Sequence, residues 1–112
     1  MSIKIHRIER MLVKEISYVL ANEVKDNDIK FVTVTAVKVT NDLSFAKVYV
    51  MVLDMNKKDT TMKALNDAAG FIRSELFDRV DIRHIPELTF VYDESIEYGK
   101  KIEDKLKEIN KQ

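Results

Sequence analysis

The chain has 112 residues, enough for one domain with one core, and it has no cysteine, which excludes disulfides, thiol chemistry and thiolate metal sites. Nineteen Lys and Arg balance nineteen Asp and Glu, so any contact with a polyanion must come from a local patch rather than a global field. Nothing reads as a signal peptide or a membrane span, which predicts a soluble cytoplasmic protein.

Residues 3–25 read as an amphipathic helix. At about 100° per residue, Ile5, Ile8, Leu12, Ile16, Val19 and Leu20 share a face. His6, Arg7, Arg10, Lys14 and Ser17 gather on roughly the opposite side. Most charged helix faces are simply solvated. Here, however, Glu9, Glu15 and Glu23 lie off that side, and segregation by sign favours a basic patch. Glu9 falls inside the apolar arc, which predicts that the first turn overhangs the core.

After a polar break at Lys25-Asp26-Asn27-Asp28, residues 31–40 are rich in β-branched side chains and alternate, as a strand does. The alternation changes phase between Val32/Val34 and Val37/Val39, and a bulge near Thr35-Ala36 would restore one buried face. Asn41-Asp42-Leu43 supplies turn residues. Residues 44–52 form the next strand, with Ala46, Val48, Val50 and Val52 on one side and Phe45, Lys47, Tyr49 and Met51 on the other. The short connection makes an antiparallel hairpin.

Residues 60–79 read as a helix with Leu65, Ala68, Ala69, Ile72 and Leu76 on one stripe, capped by Asp59 or Thr60. Gly70 lies mid-helix, where glycine costs about 1 kcal/mol relative to alanine. Ala68-Ala69-Gly70 therefore suggests a helix that breaks and restarts, with amides near residues 70–72 free for an anion. Pro86 suits the first residue of a third strand carrying Leu88, Phe90 and Tyr92. Ser95 would cap a last helix with Ile96, Ile102, Leu106 and Ile109 on one side. Gly99 weakens that helix, and the charged tail is expected to fray or dock loosely. The order predicts one α+β domain over residues 1–112, with helices on one face of a small three-stranded sheet and residues 95–112 as a helical extension.

Enzyme readings lack residues. His6 and His84 fit no metal-ligand spacing, two isolated glycines make no phosphate loop, and the serines fit surface or capping roles. No catalytic group, metal or cofactor is expected, and binding is the better class.

The runs EVKDxxxxFVTVTxV, TNDLSFAKVYV, ALNDAAGFIRSEL and RHIPELTFVYDESIEYG resemble the ribosome-binding factor A family, in the same order and with similar spacing from Arg7 to about Ile102. The resemblance implies a type II KH-like fold: helix, two strands, interrupted helix and third strand. KH domains ordinarily clamp nucleic-acid backbone with a GxxG loop. This family has an Ala-x-Gly kink there, matched by Ala68-Ala69-Gly70. It also implies a non-catalytic factor in small ribosomal subunit maturation, tied to cold adaptation, that contacts small-subunit ribosomal RNA. Two positions depart from the family pattern and lower the local positive charge: Asp26-Asn27-Asp28 replaces a frequent Asp-Pro-Arg, and Asp78 replaces a frequent lysine.

On that reading Arg7, Arg10 and Lys14 contact phosphates, joined by Arg73, Arg79 and Arg83 around the kink at Ala68, Ala69 and Gly70. Phosphate contacts position a protein without reading sequence, so RNA shape would supply specificity. The expected partner is the small subunit with its RNA, bound by a monomer. The alternative is a protein-binding adaptor that uses the C-terminal helix or the open sheet face.

Overall fold

The computed structural model describes residues 3–95; the helix expected around Ile96, Ile102, Leu106 and Ile109, and Gly99 within it, lie outside them. Within that range the chain forms α1 (Ile3–Asn22), β1 (Val32–Val39) and β2 (Phe45–Val52). A short 3-10 turn (Met55–Lys57) then leads into α2 (Lys58–Asp67), α3 (Ala69–Leu76) and β3 (Glu87–Tyr92). The class is α+β in the KH-like order, and β2 is the central strand, antiparallel to β1 and parallel to β3.

The bulge lies where the change of phase requires it. Register shifts between Val34 and Ala36, so Val34 and Val37 both reach the core although they are three residues apart. Ala46, Val48, Val50 and Val52 of β2 and Leu88 and Phe90 of β3 complete the same buried face. Leu12, Ile16, Leu65, Ile72 and Leu76 cover it from the helices, all with 0% exposure. Apolar burial of this kind is the main favourable term in folding. The hairpin turn is held by Asp42, whose carboxylate accepts from the Ser44 amide and the Thr40 hydroxyl. Those bonds hold its pKa below the ordinary carboxylate value, the Ser44 amide being the larger cause.

Several local expectations change. α1 ends at Asn22, three residues early, because the Val24 amide reaches back to the Val19 carbonyl, one residue beyond the helical partner, and unwinds the last turn. Neither Asp59 nor Thr60 caps α2. Asp54 accepts from the Asn56 amide instead and starts the 3-10 turn that runs straight into α2, leaving Asp59 in the first turn beside the positive helix end. Asp93, rather than Ser95, supplies the capping oxygen after β3, accepting from the Ser95 amide.

A helix side chain bonds to one residue on each outer edge of the sheet. Glu9 does not overhang the core: it is 8% exposed and accepts from the Val39 amide at 2.9 Å, on the free edge of β1. On the far edge, the Asn66 side chain accepts from the Phe90 amide at 2.8 Å and donates to the Phe90 carbonyl at 3.1 Å, as a neighbouring strand would. An unpaired edge is a template for aggregation, and these contacts shorten it.

Candidate nucleic-acid interface

The three cations of α1 stand as the periodicity requires. Arg7, Arg10 and Lys14 are exposed, one turn or one heptad apart, and none makes an ion pair with a described residue. Arg83, 76 positions further along the chain than Arg7, is exposed as well and joins it around one cleft. This cleft, of about 310 Å³, opens between the first turns of α1, the β1–β2 turn and the segment before β3. Arg10 opens instead onto a shallower groove along the β1 edge, shared with His6, Glu9 and Lys38. Neither depression is lined by residues 68–70.

The remaining arginines are engaged within the fold. Arg73 donates from Nε and Nη2 to the Ile85 carbonyl, at 3.1 and 2.8 Å, and from Nε to the Pro86 carbonyl at 3.2 Å. Its guanidinium also lies 5.3 Å from the Phe77 ring centre. Arg79 pairs with Glu15 at 3.3 Å and covers the Tyr18 ring at 3.8 Å, tying the end of α3 to α1. In sequence these two look like Arg7 and Arg83; only the folded chain separates the anchoring cations from the free ones.

The helix does break at the expected place, but gently. Ala68 ends α2 and precedes α3 with φ −88° and ψ −1°, a twist any residue accommodates. The Ala68 amide closes α2 by donating to Ala64, and the Ile72 amide donates to Ala68 at the start of α3, so Ile72 has no free amide to offer an anion. Gly70 has no positive φ, and an added Cβ would meet no atom within 4 Å. Gly70→Ala is therefore expected to stabilise the domain by about 1 kcal/mol in urea denaturation, whereas destabilisation would show that glycine is required there. Full small-subunit affinity in the stabilised variant would remove the kink from the interface.

Sequence reading missed Phe71 and Phe77, 47% and 58% exposed on α3 beside the kink. Their signal was present: with Gly70 and Ser74 they fall on the side opposite the Ile72/Leu76 stripe, where large apolar residues are unexpected. Among the described residues no cluster of His, Cys, Asp or Glu could hold a metal ion, and no helix is long and apolar enough to cross a membrane.

The family profile described as Ribosome-binding factor A matches residues 4–106. The chain belongs to the ribosome-binding factor A family. It is 51% identical over 111 residues to the Staphylococcus epidermidis ribosome-binding factor A, covering 98% of this chain and 96% of that one. Its fold is similar to the crystal structure of ribosome-binding factor A from Thermus thermophilus, with TM-score 0.70 and 25% identity over 79% of this chain and 93% of that one. It is also similar to a Thermus thermophilus ribosome-binding factor A homology model fitted into a cryo-EM map of a 30S complex. For that neighbour the TM-score is 0.65, with 24% identity over 77% of this chain and 91% of the other. The ribosome-binding factor A domain thus accounts for nearly all of the sequence, and the free cations lie within the matched residues.

Proposed function

We propose that the chain is a non-catalytic maturation factor of the small ribosomal subunit that binds ribosomal RNA through backbone contacts. The observation that carries this reading is the set of exposed cations without acidic partners among the described residues: Arg7, Arg10 and Lys14 on α1, with Arg83 beside the first of them. Phosphates are the anions such a surface suits, and a local patch can act although the net charge is zero. The Thermus thermophilus relative fitted into a 30S complex supports the choice of partner. Arg73 and Arg79 serve this function by holding α3 in place. The open sheet face favours a second, protein-binding role, since Phe45 on it is 57% exposed.

Co-sedimentation tests the reading. The protein is expected to pellet with immature small subunits more than with mature ribosomes. Free small-subunit RNA should retain less of it, because shape contributes to recognition. Failure to pellet with any small subunit would contradict the proposal.

A further inference from the structure

The cleft between α1 and the β1–β2 turn has a floor that phosphate binding alone does not explain. Lys4, Arg7 and Arg83 stand on its rim, with Asp81 as the one acid, and none of the three cations pairs with a described acid. Below them the lining is apolar. Ile8 and Leu43 are each 5% exposed, and Met11 and Ile82 are half-buried against the core. Leu43 reaches the floor from a left-handed conformation, φ 64°, which costs a β-turn leucine about 1–2 kcal/mol and is offset by its burial. A surface for bare phosphate needs charge and donors, not aliphatic carbon.

We propose that this cleft seats a single unstacked RNA nucleotide, its base against Met11 and Ile82 and its phosphate held by Arg7, Lys4 and Arg83. The inference rests on the reading that the chain binds RNA, and it adds a site for a base to the phosphate contacts. A volume of about 310 Å³ is at the small end of ligand pockets, which suits one nucleotide and excludes a helix. Unstacked bases are held on guanidinium planes and aromatic rings, and bases turned into a pocket also pack between apolar side chains. This cleft offers guanidinium groups and an apolar wall, without an aromatic ring among the described residues. A cleft whose rim carries mostly one sign of charge also concentrates counter-ions.

The test is NMR of the methyl-labelled protein titrated with adenosine 5′-monophosphate, with ribose 5-phosphate as the control. Adenosine monophosphate is expected to give ring-current shifts at the Ile8, Met11, Leu43 and Ile82 methyl groups, and ribose phosphate is not. Arg83→Gln should weaken the nucleotide about tenfold while leaving the free methyl spectrum unchanged elsewhere. Absence of those shifts would overturn the proposal, as would an identical pattern with ribose phosphate. Displacement of the nucleotide by a glutamate-rich peptide that shifts the same methyl groups would overturn it in favour of a protein partner. Small-subunit binding is measured on the same sample. Binding retained with an empty cleft rejects the nucleotide seat alone, and binding lost with the nucleotide still seated rejects the ribosomal reading alone.

Discussion

Ile72→Ala is expected to destabilise the domain by about 2–5 kcal/mol, a large part of the roughly 5–15 kcal/mol that holds a domain of this size folded. Ile72 is 0% exposed in the core cluster that also contains Leu12, Ile16, Leu65 and Phe90. It lies just past the kink, where its amide bonds to Ala68 and its side chain faces inward. Removing its outer carbons loses their transfer free energy and leaves a cavity that α3 can fill only by moving toward β3 and α1. Urea denaturation checks this. A change within about 0.5 kcal/mol, typical of a surface site, would mean that α3 does not pack by this face.

The second large effect concerns binding. Changing Arg7, Arg10 and Lys14 together to glutamine is expected to weaken small-subunit affinity by at least about tenfold, because three phosphate contacts and their released counterions are lost. Stability should stay within about 0.5 kcal/mol, since all three side chains are exposed and unpaired among the described residues. Equilibrium binding and urea denaturation on the same preparation separate the two outcomes. Arg79→Gln is the informative contrast: it removes the Glu15 pair and the Tyr18 contact and so acts on the fold first.

Periodicity made much of this architecture legible. Val32, Val34, Val37 and Val39 located the bulge, because a strand with one buried face cannot change phase without an extra residue. The buried set Val48, Val50, Leu65, Ile72 and Leu88 followed from strand and helix spacing alone. What periodicity could not supply was the partner of a polar side chain. Glu9 bonds to a residue 30 positions away, Asn66 to one 24 away, and Arg73 to carbonyls 12 and 13 away. Each looks like a surface residue until the sheet edge or the loop it serves is in place. The kink was legible for a different reason. Consecutive small residues marked the position, but they could not show that the break falls at a right-handed Ala68 and needs no left-handed glycine. For the candidate interface, sign segregation on α1 grouped Arg7, Arg10 and Lys14, whereas only the folded chain brought Arg83 beside Arg7.

The most direct test of the central claim is the salt dependence of small-subunit binding, compared between the unaltered protein and the Arg7/Arg10/Lys14→Gln variant. If these side chains neutralise phosphates, log affinity falls linearly with log salt concentration, and the variant's slope is shallower by about 2–3 units. Coincident slopes for the two proteins would contradict the account and leave that face of α1 as plain solvent-exposed surface.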